Sequence, residues 1–255
     1  PVVLSYGVVN ISQSAISKNN YANEIAGNGV YNLFAAFINN ELPFTRFYRT
    51  LPQNQVNARL RTLVAERNNS FVDPTSERFT RTIRAEGPEK RLNVVVVIEE
   101  SLSAEYLGAF GNGKGLTPNL DRLASQSLLF TNLYANGTRT VRGLEALTLS
   151  VPPLPGTSIV KRPNNGGFRS WGEIMNAKGY QSKYIYAGHG YFDNMNAFFS
   201  ANGYSIVDRT DFAKDEITFA NVWGVCDEDL FRKVIKEGDK SFSAKKPFFS
   251  MVMTT

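Results

Sequence analysis

Two acids and a hydroxyl forty residues apart carry the first chemical signal in this 255-residue sequence. Glu99 and Glu100 end the run VVVVIEESLS, residues 94–103, and Thr140 sits in NGTRTVRG, residues 136–143. A run of β-branched apolar residues predicts a strand buried on both faces. Neighbouring strand residues face opposite ways, so one acid of the pair aims into whatever lies beyond the strand. A hard divalent cation rewards a carboxylate there, because two adjacent acids otherwise repel and must be solvated. A strand that merely ends in solvated charge gives the same letters. A helix predicted to start near Val141 places Thr140 or Thr138 at its N-terminus, where amide donors and the dipole favour a phosphate-like anion. A threonine hydroxyl is a nucleophile only when a metal or base lowers its pKa; the plain alternative is a threonine capping a structural helix.

Other candidates are fewer. Arg142, in the first turn of that helix, could steady a phosphate with its fork of donors. His189 is the single histidine; it follows the strand SKYIYAG and could contact a substrate phosphate or cap the next helix. GAFGNGKG, residues 108–115, nearly spells a phosphate-binding loop, but Gly115 stands where a magnesium-holding Ser or Thr is needed, so it reads as a surface loop. Cys226 is the single cysteine, which excludes an internal disulfide and any multi-cysteine metal site.

The elements that must position these residues are legible from Asn93 onward. NVVVVI, SLLFTNLY, SKYIYAG, YSIVD and PFFSMVMTT read as strands; TPNLDRLASQ, SWGEIMNAKG, FDNMNAFFSANG and DEDLFRKVIKEG read as helices. The alternation predicts an α/β fold, a three-layer α/β/α sandwich on a mostly parallel sheet. In such sheets ligands collect beyond the carboxyl ends of the strands, where Glu99 and Glu100 lie. Thr117-Pro118 predicts a hydroxyl-capped helix start, Ser170 with Glu173 a capping box, and Gly179, Gly203 and Gly238 helix C-caps. Residues 1–92 contain one clear helix, QVNARLRTLVAE, among turn-formers such as Leu51-Pro52 and Asp73-Pro74, and read as an arm that packs on the domain of residues 93–255.

Net charge is +5, with 11 Lys and Arg against 7 Asp and Glu in residues 1–92 and near balance after them. That asymmetry suits an anionic membrane surface, or simply solvated arginines; no nucleic-acid-binding motif is present. No apolar run approaches the roughly 18 residues of a membrane span. Pro1 stands where an initiator Met would, so the chain reads as a piece of a longer protein.

Taken together, IEESLSAEYLG, then LTPNLDRLASQSLLFTNLYANGTRTVRGLEALTLSVPPLPG, then FDNMNAFFSANGY resemble the alkaline phosphatase/sulfatase superfamily, and within it the lipoteichoic acid synthase-like phosphoglycerol transferases. The resemblance spans residues 93–255. It implies that Glu100 binds the metal and that Thr140 is both nucleophile and metal ligand. It leaves Arg142, His189 and Asn194 as candidates for substrate binding, and Glu99 to support the sheet edge. Sulfatases proper use a C-x-P-x-R motif; here Thr140-Val141-Arg142-Gly143 stands in its place, which disfavours sulfatase chemistry. The synthases carry a Trp and an Arg where this chain has Asp193 and Met195.

The resemblance further implies an exported enzyme of the cell membrane, anchored by preceding helices, with its domain on the periplasmic or extracellular side. Its partners would be a phospholipid headgroup donor and a hydroxyl acceptor. The cofactor would be a divalent metal, Mn2+ first, with Zn2+ or Mg2+ as alternatives. The family's remaining metal ligands lie beyond the strand matching PFFSMVMTT, which predicts half a site here and an inactive isolated chain. A hydrolase of the same fold, or a non-catalytic module binding a headgroup or envelope partner, fits the same residues.

Overall fold

The computed structural model describes residues 11–38, 48–73, 78–152 and 154–255. They fall into two compact units, one running to Pro88 with Pro155–Thr157, the other Glu89–Leu154 with Ser158–Thr255.

The first unit holds helices α1 (Asn20–Ala26), α2 (Gly29–Ile38) and α3 (Gln53–Val64), and a hairpin of β1 (Asn69–Phe71) and β2 (Arg81–Ile83). Helix α3 is the one its apolar spacing predicts. Asn69 Nδ2 ties its C-terminal end to the hairpin through the Val64 carbonyl at 3.0 Å, and the Arg61 guanidinium stacks on the Phe71 ring at 3.9 Å. The expected turn at Asp73-Pro74 lies partly outside the described residues, which stop at Asp73. No helix among the described residues is long and apolar enough to cross a membrane.

The second unit is built on a parallel sheet of order β3-β6-β4-β5, with β3 Val94–Ile98, β4 Gln181–Tyr186, β5 Ser205–Val207 and β6 Phe248–Met253. Five helices accompany it: α4 (Pro118–Ala124), α5 (Thr140–Leu149), α6 (Trp171–Ala177), α7 (Met195–Ser200) and α8 (Asp227–Ser243). Val94 pairs with Phe249 and Ile98 with Met253; Tyr186 also pairs with Met253. All four strands therefore end at one edge of the sheet.

Alternation of side chains divides the core in two. Tyr184, Tyr186, Phe249 and Met251 bury against Val141 and Leu144 of α5 and Phe198 and Phe199 of α7. Ile185, Ala187 and Val252 bury on the other face against Leu230 and Val234 of α8. The tightest aromatic contact is Tyr184 on Phe199, with ring centroids 3.7 Å apart.

Four sequence expectations need correction. Strand β3 is buried on one face only: Val94, Val96 and Ile98 meet the core, whereas Val95 and Val97 are 46% and 41% exposed. Among the described residues it is one of the two edge strands, and α8 packs on β4 and β6 instead. SLLFTNLY forms no strand and pairs with none of the described strands; Leu128, Phe130 and Leu133 are exposed. Gly238 lies inside α8, where a methyl group would meet the Phe248 ring at 3.3 Å, whereas Gly179 and Gly203 do take left-handed backbone at helix ends. The Thr117 hydroxyl does not cap α4; it accepts from the Gly108 N–H at 3.2 Å and bonds to the Asp121 carboxylate, which also takes the Ala109 N–H at 2.8 Å. Those bonds pin the start of the GAFGNGKG loop as a surface turn. Ser170 does cap α6, accepting from the Glu173 N–H at 3.0 Å.

Candidate functional site

Beyond the carboxyl ends of β3, β4 and β6 lies a cavity of about 420 Å³, lined by residues that include Glu100, Thr138, Arg139, Thr140, Tyr186 and Asp193. Strand β3 delivers its two acids to this edge. The Glu100 N–H donates to Thr254 Oγ1 at 2.8 Å, and the Thr254 N–H returns to the Ile98 carbonyl at 3.2 Å, so β6 fixes the backbone that carries Glu100. Ser101 takes left-handed backbone (φ 58°), and its hydroxyl donates to Glu100 Oε1 at 3.2 Å.

Thr140 opens α5, and its hydroxyl donates to Glu100 Oε2 at 2.8 Å. The two residues that the family resemblance pairs as metal ligand and nucleophile, forty positions apart, are thus in direct contact. Helix α5 is held in that pose from below. Val141 and Leu144 bury in the core, and the inaccessible Glu145 carboxylate accepts from Ser158 Oγ and the Ile159 N–H at 2.6 Å each. Its other oxygen accepts from Arg142 Nη1 at 2.8 Å. Arg142 is thereby engaged inside the helix and is not among the cavity-lining residues. Glu145 is an i, i+3 partner on the same helix.

His189 and Asn194 also lie off the cavity wall. The His189 ring stacks on Tyr191 with centroids 5.5 Å apart and caps no helix; Asn194 Nδ2 donates to the Val160 carbonyl at 3.2 Å. The structure brings Glu100 and Thr140 together and leaves Arg142, His189 and Asn194 outside the lining. It adds residues that sequence reasoning did not select. Arg139, immediately before Thr140, faces the cavity, as does Asp193, with Phe192 and Trp223 meeting edge to face at 6.1 Å on the wall. Adjacency to Thr140 was the one sequence signal for Arg139; for Asp193 it was its place in the segment where the resembled synthases carry a Trp and an Arg.

The cavity lining holds two acids, Glu100 and Asp193, against one base, Arg139, and Glu99 lies outside it. Partial desolvation pushes the Glu99 carboxyl up, and the Asp227 charge adds to it, against a hydrogen bond from Thr254. Tyr186 is likewise held neutral, by burial first and then by the charges of Glu100 and Asp193. A cation beside Glu100 would offset the charge that Tyr186 faces.

Glu100 and Thr140 fit a divalent cation as two hard oxygen donors already 2.8 Å apart. Among the described residues no three His, Cys, Asp or Glu side chains gather closely enough to hold a metal, so these two oxygens alone would not complete a donor set.

The sulfatase family model matches residues 92–255. The chain is also similar to the crystal structure of a protein in the alkaline phosphatase superfamily from Vibrio parahaemolyticus, with 36% identity over 84% of this chain and 51% of that one, at a TM-score of 0.75. It shares a fold with the lipoteichoic acid synthase LtaP from Listeria monocytogenes, at 17% identity over 65% of this chain and 41% of that one, with a TM-score of 0.58. The chain spans about half the length of the first of these structures and less of the second. The α/β fold and its parallel sheet are those of that superfamily, whose members are generally enzymes that typically use a divalent metal. The chain belongs to the sulfatase family of the alkaline phosphatase superfamily.

Proposed function

We propose that the whole protein is a metal-dependent phosphotransferase of the bacterial envelope, which moves a phosphoglycerol-type group from a phospholipid to a hydroxyl acceptor through a phosphothreonine at Thr140. The single observation that supports this reading is the 2.8 Å contact between the Thr140 hydroxyl and Glu100 at the carboxyl edge of the sheet.

In this reading Glu100 and Thr140 hold a divalent cation, Mn2+ in preference to Zn2+ or Mg2+, together with donors elsewhere in the whole protein. When bound, the cation lowers the pKa of the threonine hydroxyl and offsets charge on the phosphoryl oxygens. Thr140 Oγ attacks phosphorus, a Thr140–phosphate bond forms, the bond to the lipid alcohol breaks, and that alcohol leaves with a proton. The acceptor hydroxyl then attacks phosphorus, loses its proton and frees Thr140. Thr140 is set up for attack because α5 cannot turn while Glu145 is held by Ser158 and Ile159. Arg142 holds the helix through Glu145, and Arg142, His189 and Asn194, which lie off the cavity wall, are given no substrate contact in this reading. The basic residues 1–92 act as a juxtamembrane arm on the periplasmic or extracellular side of the cell membrane.

The test is a product analysis with the full-length protein and a phosphatidylglycerol labelled in its headgroup. The expected result is a glycerophosphoryl adduct on the peptide that contains Thr140, lost in Thr140→Ala, and label passed to an alcohol acceptor. Label released only as free glycerol phosphate would make the enzyme a hydrolase, and no adduct at Thr140 would end the reading.

A further inference from the structure

With Arg142 engaged by Glu145, the guanidinium that lines the cavity beside Thr140 is that of Arg139. Its side chain is 68% exposed, and it is held loosely, with Nη2 3.9 Å from Asp193 Oδ2. Asp193 is committed elsewhere. Its carboxylate is only 8% exposed, and Oδ1 accepts from Lys161 Nζ at 2.8 Å.

The backbone is shaped to make this arrangement. Asp193 and Asn194 both take left-handed conformations, at φ 52° and 63°. A consecutive non-glycine pair of this kind is uncommon, and such positions collect at functional sites. One short turn, Ile159–Lys161, restrains both residues, since the Val160 carbonyl accepts from Asn194 and Lys161 pairs with Asp193. The same turn is docked on α5 through the Ile159 N–H and Glu145. The Asp193–Lys161 pair is therefore fixed relative to Thr140.

Electrostatics gives this geometry a use. A lone Asp193 carboxylate in a cavity that already contains Glu100 would capture Arg139 and repel an anion. Lys161 offsets that charge from outside the lining and leaves the guanidinium for a ligand. An arginine fork matches two phosphate oxygens at once. We propose that Arg139 is the phosphate-recognising residue of the Thr140 site, and that Lys161 is a positioning residue which acts through Asp193 to keep Arg139 available. The inference builds on Thr140 as the phosphoryl acceptor, but its test is a binding measurement that involves no transfer.

Inorganic phosphate is titrated calorimetrically into the full-length protein supplied with divalent metal, and each variant is checked for an unchanged circular dichroism spectrum. Arg139→Gln is expected to weaken phosphate binding at least about tenfold, the scale of one lost charge-assisted pair, and Arg139→Lys to recover part of it. Lys161→Met is expected to weaken it several-fold, because Asp193 then competes for Arg139. The double variant Lys161→Met/Asp193→Asn should return to within about twofold of wild type, a rescue that a purely structural role for Lys161 would not produce. Wild-type phosphate affinity in Arg139→Gln, or a double variant as weak as Lys161→Met alone, overturns the proposal. The same rescue pattern without any adduct on Thr140 would uphold this subsite while ending the transfer reading, so the two failures are distinct.

Discussion

Replacing Glu145 by alanine should cost the second unit more than any surface change. The carboxylate is fully inaccessible and accepts three hydrogen bonds, from Arg142, Ser158 and the Ile159 N–H. Its removal takes an acceptor from a guanidinium whose side chain is only 17% exposed, from the Ile159 amide and from a buried hydroxyl that keeps the Val141 carbonyl at 3.3 Å. Breaking a buried pair by deleting one partner typically costs about 3–5 kcal/mol, against a whole-domain stability of about 5–15 kcal/mol. Glu145→Gln keeps the shape and part of the acceptor capacity, and should cost about 2 kcal/mol. Urea unfolding followed by tryptophan fluorescence reads this unit selectively, because both tryptophans, Trp171 and Trp223, lie within it. The midpoint should fall with the slope unchanged. Arg142→Ala should be costly by the same logic, and the double variant should cost less than the sum of the singles by about 2 kcal/mol. A Glu145→Ala loss below about 1 kcal/mol, or additivity within about 0.5 kcal/mol, would refute the claim that this carboxylate anchors α5.

Three further outcomes follow from the packing and the charges. Gly224→Ala would place a methyl group 2.6 Å from the Ala187 carbonyl and 2.7 Å from Thr255 Cγ2, so it should cost about 1–3 kcal/mol in the same urea experiment. Phe199→Ala removes the ring stacked on Tyr184 and should cost about 3–5 kcal/mol; a midpoint close to wild type would contradict that core assignment. Glu216 is held down at about 2 by hydrogen bonds from Lys233 and then Lys236, so its stabilisation is complete above its ordinary 4.5 and disappears as pH falls towards 2. Asp229 lies at about 2 as well, because the N–H and hydroxyl of Thr218 together with the Cys226 thiol outweigh the effect of burial. Acid unfolding monitored between pH 4.5 and 2 should therefore be shallower in Glu216→Gln than in wild type.

How far the sequence could be read depended on whether a feature was local. The strand before Glu100 and the helix opened by Thr140 announce themselves by residue type, and the edge rule for parallel sheets places Glu100 beyond its strand; its pairing with Thr140 comes from the family resemblance, since SLLFTNLY, the strand expected to lead into that helix, does not form. Arg142 could not be resolved in that way. Its identity and position suit a phosphate, and the carboxylate that engages it is oriented by Ser158 and Ile159, more than ten residues away. The Asp193–Lys161 pair joins residues 32 apart through a left-handed kink, for which Asp and Asn give only a weak local sign. SLLFTNLY and the outer face of β3 failed for one shared reason: apolar pattern records what a segment can bury, while neighbours decide whether it does.

The central claim is that Glu100 and Thr140 bind one divalent cation, and calorimetric titration of Mn2+ into the full-length protein tests it most directly. Glu100→Gln should weaken binding by more than about 100-fold, beyond the usual cost of losing an outer partner, and Thr140→Val should weaken it less. Glu99→Gln, which alters the acid beside Asp227, should leave Mn2+ affinity within about tenfold of wild type. Wild-type Mn2+ affinity in Glu100→Gln would contradict the account.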